Sequence, residues 1–255
     1  MRAILLSTLL VLASLSGCFG GDEIFPENPG IPGGLALACL RSSTFDSLVI
    51  EIDYEEGYEP DTNAVNTLKS RVTEVCEKPG GVIVEKTLVD FSHDGPWTSN
   101  DVRTISDEFR QGDAMEGDTL HWHFLYPAGK NQDSNVLGVA VDASTVAIFL
   151  DAVEDAEGFF GRPSAEEVEK SVTVHEAGHL LGLVNLVYIS PIEHEDSEHR
   201  GHSSSSGSVM YWAIESQNVG NFITGDLPDE FDDDDKADLA GMADGSIEVD
   251  SQLWP

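Results

Sequence analysis

Apolar and polar residues alternate through SLVIEIDYEE (47–56), the period of a half-buried strand. The period then lengthens in DTNAVNTLKSRVTEVCEKPGG (61–81), where Val65, Leu68, Val72 and Val75 recur at helical spacing. Asp61 stands as N-cap and Pro79-Gly80 as a stop. GVIVEKTLVDF (81–91) returns to strand character, so the chain opens as strand, helix, strand, a βαβ unit with a parallel pair. Residues 92–117 read as loop with one weak helical segment. Three strand-like runs follow: DTLHWHFLYP (118–127), NVLGVAV (135–141) and STVAIFLDAV (144–153). The middle run is short and bracketed by Asn135 and Asp142, which marks it as an edge. Ser164 and Glu167 form a capping-box pair opening a long helix with Val168, Val172, His175 and His179 on one stripe. FDDDDKADLAGMAD (231–244) predicts a final helix with acids in its first turn. The pattern is that of an α/β (α+β) chain without internal repeats.

The first residues differ in kind. Arg2, an apolar run from Ala3 to Leu15 and a small-residue end have the layout of a secretory signal, too short for a membrane span. LSGC, ending at Cys18, resembles a lipobox, which implies cleavage after residue 17, lipidation of Cys18 and a tether to the outer face of a membrane. FGGDEIFPENPGIPGG (19–34) reads as that tether. The expected organisation is therefore signal peptide 1–17, lipidated cysteine and flexible tether 18–44, and one catalytic-size domain 45–255. Cys39 and Cys76 remain, and in an exported chain they can form one disulfide; a free thiol, or Cys39 capping a metal, are the alternatives.

Charge narrows the partners. Loss of residues 1–17 removes one arginine and no acid, leaving 12 basic residues against 47 acidic ones, a charge of −35. Such a surface repels nucleic acid and anionic membrane and resembles the acidic coats of halophile proteins. Contact with a membrane is then expected through the lipid alone, and the chain is expected to be a monomer.

The chemistry lies in VHEAGHLLGLVN (174–185). His175 and His179 sit four apart, so both imidazoles leave one helix face about 6 Å apart and can grip one Zn²⁺, with Glu176 between them as general base. Gly182 permits the positive φ that ends the helix abruptly. The extended form HEAGHLLG resembles the metzincin zinc proteases, whose pattern is HExxHxxGxxH followed by a methionine-containing turn. Asn185 departs from it at the third-ligand position, and an amide oxygen is a weaker zinc ligand than imidazole. Downstream, His202 precedes Met210 by eight residues, the interval found in matrixins and archaemetzincins, although this chain has Ser203 and Ser208 where the archaemetzincin form has cysteines. Residues 185–201 then read as an insertion and His202 as the third ligand. His199 is the main alternative, with His194, Asn185 or a carboxylate behind it.

The resemblance covers 45–245 in layout and 174–212 in motif. It implies a mixed five-stranded twisted sheet, with NVLGVAV as an antiparallel edge strand that can pair with an extended peptide, a long zinc-binding helix, a Met-turn and a C-terminal helix. It also implies Met210 as a packing base under the metal, with Tyr211 and Trp212 shaping the specificity pocket. The implied activity is peptide-bond hydrolysis with Zn²⁺ as cofactor and a peptide or protein substrate. A gluzincin arrangement with a later glutamate ligand, and a non-catalytic zinc-containing surface lipoprotein, are the rivals. His121 and His123 point to one strand face and form a weaker metal-like pair; His93 stands alone, and the acidic runs EHEDSE and DDDD lack the spacing of a calcium loop.

Overall fold

The computed structural model describes residues 28–158, 163–217, 219 and 226–250. The signal-like segment, Cys18 and the first part of the expected tether lie outside the described residues. In chain order the elements are α1 (Ala36–Leu40), β1 (Ser47–Tyr54), α2 (Thr62–Val75), β2 (Gly81–Leu88), α3 (Ser99–Phe109), β3 (Met115–Glu116), β4 (Thr119–Tyr126), β5 (Gly138–Ala140), β6 (Thr145–Ile148), α4 (Leu150–Asp155), α5 (Ala165–Leu180) and α6 (Asp233–Asp244). Among the described residues no helix is long and apolar enough to cross a membrane.

The strands form one mixed sheet in the order β2-β1-β4-β6-β5. β1 runs parallel to both β2 and β4, with Ser47 opposite Gly81 and Thr119; β4 is parallel to β6, and β5 is antiparallel to β6 at the edge. The expected five strands are thus present in the expected order. A sixth, the two-residue β3, pairs antiparallel with the start of β4 across a turn at Gly117, whose φ is 61°. Side chains alternate between the two sheet faces. Leu48, Ile50 and Ile52 of β1 lie beside Trp122 and Phe124 of β4 on the face covered by α5, where the Tyr126 hydroxyl meets Thr173 Oγ1 at 3.1 Å. Glu51, Asp53 and His123 share the other face, beneath α3, whose Ser106 hydroxyl lies 2.9 Å from His123 Nδ1.

The structure moves the end of the tether and the bounds of two strands, and it forms the disulfide that Cys39 and Cys76 were expected to be able to make. The tether does not extend to residue 44: Leu35 to Leu40 are buried, α1 lies in the core, and the backbone from Pro29 onward is pinned by Ala143 N donating to its carbonyl at 3.1 Å. LALACL is a compact apolar run whose Gly and Pro neighbours disguise it, and burial of six apolar side chains outweighs that flexibility. Cys39 is disulfide-bonded to Cys76 at the end of α2, with Cα atoms 5.2 Å apart, so it is neither a free thiol nor a metal cap. The Lys78 ammonium reinforces this seam by donating to the carbonyls of Ala38, Arg41 and Phe45 at 2.9, 2.7 and 2.7 Å. Finally, the strand expected over 144–153 ends at Ile148, and Leu150 begins α4 with Asp151 in its first turn. NVLGVAV is likewise a strand only over Gly138–Ala140, because Leu137 N is taken by the Glu215 carbonyl at 2.9 Å.

Candidate metal centre

The helix carrying the histidines is fixed at both ends. At its start Glu167 Oε2 accepts from Ser164 N at 2.8 Å while Ser164 Oγ accepts from Glu167 N at 3.3 Å, the expected reciprocal cap. At its end Gly182 takes φ 87°, and its amide donates to the His179 carbonyl at 3.0 Å. A Cβ there would lie 2.7 Å from Val187 Cγ2, so both conformation and space demand glycine. The chain then loops through 183–201 and returns antiparallel, Val184 N donating to Gly201 O at 3.0 Å, which delivers His202 to the helix face.

There His175, His179, His202 and Glu215 each offer a ligand atom, all within 4.8 Å of one another. The ring centroids of His202 lie 5.2 Å from His175 and 5.1 Å from His179. All three Nδ1 atoms face backbone carbonyls: His175 to Val209 at 2.7 Å, His179 to Leu183 at 2.9 Å and His202 to Arg200 at 3.1 Å. Donation there places the remaining lone pairs on the three Nε2 atoms, which turn inward. His175 and His179 Nε2 come within 3.1 Å of each other, and two imidazole lone pairs at that distance repel unless a proton or cation lies between them. Burial holds both rings well toward the neutral form, His179 at about 3. His202 is shifted the other way: burial alone would lower its pKa, but the Glu215 carboxylate outweighs burial and raises it. Three imidazoles converging by Nε2 are the donor set that zinc takes, so these residues fit a Zn²⁺ ion.

Glu176 is fully buried, and its carboxylate is faced by the Ala140 amide but makes no well-formed hydrogen bond. Burial first, and the Glu215 charge second, raise its pKa well above the carboxylate range, which suits a group that must hold a proton during a reaction. Gly138 of the edge strand makes room for it: a Cβ at 138 would sit 2.8 Å from Glu176 Cγ. The carboxylate borders a cavity of about 240 Å³ lined by Pro32, Val139, Ala140, Glu176, His202 and Glu215 among others. Tyr211 and Trp212 are not among its lining residues; Trp212 stacks on His199 at 4.1 Å and Tyr211 tilts against Trp212 at 5.6 Å.

Glu215 was not legible beforehand. It lies in the 3-10 turn Trp212–Glu215, with one oxygen 3.3 Å from His202 Nε2 and the other 3.8 Å from His175 Nε2. Burial alone would raise its pKa, but the two imidazoles outweigh it and hold the carboxyl well below the usual range. Met210 is fully buried against the floor of α5, where a Cβ on Gly178 would meet its sulfur at 2.2 Å.

The competing ligands are engaged elsewhere. His199 Nδ1 lies 3.0 Å from Asp196, His194 Nε2 lies 2.8 Å from Asp238, and Asn185, at φ 60°, donates to Glu195 and accepts from Ser190 N. His93 lies against Trp97, the ring centroids 4.0 Å apart and the planes tilted by 35°. His121 and His123 do not act as a pair, since His123 groups instead with Glu51 and Asp53.

No family model matches the chain, and no curated protein does. Among solved structures, the crystal structure of an archaemetzincin from Methanopyrus kandleri superposes on 78% of this chain and 96% of its own, with a TM-score of 0.46 and 13% sequence identity. What the centre can do is therefore read from its own residues.

Proposed function

We propose that the chain is a zinc-dependent endopeptidase, with His175, His179 and His202 holding the ion and Glu176 as the catalytic acid and base. The observation that carries this reading is the convergence of three inward-turned Nε2 atoms beside a buried carboxylate that no cation or side-chain donor holds. Zn²⁺, when bound, would polarise a peptide carbonyl and lower the pKa of water. Glu176 would take the proton from the attacking water and return it to the leaving amine, and no covalent intermediate is required. An extended peptide would lie along Val139 and Ala140 of the short edge strand, whose exposed backbone groups serve it as a pairing edge. Glu176→Gln tests the assignment: zinc content should stay at the parent level while hydrolysis of a peptide library falls by about 10²- to 10⁴-fold. Unchanged hydrolysis would sink it.

Glu215 supports a second reading. A carboxylate 3.3 Å from His202 Nε2 would close a His₃Glu shell and leave no open position, as in structural zinc sites, and the protein would then be a binding module. Glu215→Ala separates the two, because it opens a closed shell and lowers zinc affinity, whereas in the peptidase it leaves the three imidazole ligands in place. Surface anchoring through Cys18 is likewise a proposal, resting on LSGC alone; fatty-acid labelling lost in Cys18→Ala is its test.

A further inference from the structure

On the sheet face opposite α5, three buried ionisable side chains face one another across two strands. Glu51 and Asp53 stand two residues apart on β1, hence on one face, and the parallel register sets His123 of β4 directly opposite Glu51. One ligand atom from each lies within 4.8 Å of the others, and the three residues are 2%, 1% and 0% exposed. Thr145 continues the polar row onto β6, opposite His123, and Ser106 descends on it from α3.

The hydrogen bonds account for some of this polarity but not for its charge. Gln111 N donates to both Glu51 oxygens, at 3.0 and 3.1 Å. Asp53 Oδ2 lies 3.1 Å from His123 Nε2, while Asp53 Oδ1 is buried with no partner. Among the described residues no lysine or arginine lies within 4.0 Å of either carboxylate, and the Arg110 guanidinium nearby is turned to Gly112 O and Ser144 Oγ; His123 is the one basic group paired with them. Two carboxylates against one imidazole leave at least one negative charge uncompensated even when the ring is protonated, and a buried unpaired charge is costly. The chain Ser106–His123–Asp53 has the connectivity of a nucleophilic triad, but Ser106 is 1% exposed on the sheet-facing side of α3, where no substrate reaches it.

We infer that Glu51, Asp53 and His123 hold a structural divalent cation of the zinc and manganese class, independent of the centre formed by His175, His179 and His202. Two carboxylate oxygens and one imidazole nitrogen are a donor set for such ions, and the ion's two positive charges balance both acids with the ring neutral. The ring can take the role: with Nδ1–H donating to Ser106 Oγ, 2.9 Å away, and the Ser106 hydrogen turned to Thr145 Oγ1 at 3.2 Å, Nε2 presents its lone pair on the side of Asp53 Oδ2, where a cation would join the two. The ion would tie β1 to β4 under α3.

Metal content decides the matter. The full chain is stripped by chelator, reloaded with Zn²⁺ alone or with Mn²⁺ alone, desalted and analysed for bound metal. The parent should carry two equivalents of zinc, Asp53→Asn one, and His175→Ala/His179→Ala one; the last variant isolates the inferred site, and stripping it should lower its melting temperature until metal is restored. Equal metal content in the parent and a folded Asp53→Asn overturns the inference, as does a His175→Ala/His179→Ala variant that binds none under either ion. If Asp53→Asn does not fold, the His175→Ala/His179→Ala result decides alone. One equivalent in the parent that persists in that variant would instead remove the α5 site and keep this one.

Discussion

The sulfur of Met210 occupies the space that a side chain at position 178 would need: a Cβ on Gly178 would lie 2.2 Å from it. Helix α5 therefore rests on the Met-turn through one missing side chain, one residue before His179. Gly178→Ala should cost about 1–3 kcal/mol of stability and weaken zinc binding, since the helix cannot move off Met210 without shifting a ligand. Met210→Leu, close to volume-conserving, should cost less than about 1.5 kcal/mol. Urea denaturation of the metal-free and metal-loaded proteins measures both, and a Gly178→Ala protein as stable as the parent would refute the contact.

Gly138 stands against Glu176 in a similar way, with 2.8 Å from its missing Cβ to Glu176 Cγ. Gly138→Ala should displace the carboxylate and reduce peptide hydrolysis about tenfold or more, because small misplacements of a catalytic group are expensive. Zinc content should not change. A variant that loses zinc along with activity would show that Gly138 supports the ligands rather than the base.

The Cys39–Cys76 bond closes a loop of 37 residues that joins α1 to the end of α2. Its removal in Cys39→Ser/Cys76→Ser should cost about 3–4 kcal/mol by chain entropy. Melting curves with and without reductant should shift in the parent and coincide in the double variant.

Glu169 is a buried acid on α5 that accepts from Asp61 N at 2.8 Å, and burial raises its pKa to about 7. Its folded pKa lies above the unfolded value, so the protonated form favours folding. Its contribution is full below about pH 4 and is lost as pH rises toward 7, on the order of 3 kcal/mol. Glu169→Gln should flatten the stability profile across that window, as read by denaturant midpoints from pH 4 to 8. An unchanged slope would assign the pH dependence to other groups.

Local signals carried much of this architecture. The N-cap at Asp61 and the capping pair of Ser164 with Glu167 are written within four residues of chain and hold in the folded protein. The Thr98–Asp101 pair is equally local, and it opens α3, an 11-residue helix where the apolar pattern of 92–117 supports only a weak helical segment. His202 was approachable because its spacing from Met210 is fixed by one tight turn, in which Ser203 N donates to the Met210 carbonyl at 2.8 Å. Glu215 was not, being one acid among 47 Asp and Glu residues, made distinctive only by the turn that folds it back on His202. Glu51 and Asp53 misled more actively. In an alternating strand they mark a solvated face, and only the packing of α3 over that face buries them. Register between β1 and β4, a long-range property, puts His123 beside them.

The central claim is that His202, brought back by the 183–201 loop, completes the zinc site with His175 and His179. The most direct measurement is the zinc content of desalted parent, His202→Ala and His199→Ala proteins. His202→Ala should carry one equivalent less than the parent, while His199→Ala, whose ring is held by Asp196 and Trp212, should keep the parent content. Loss of that equivalent in His199→Ala, with His202→Ala unchanged, would contradict the account.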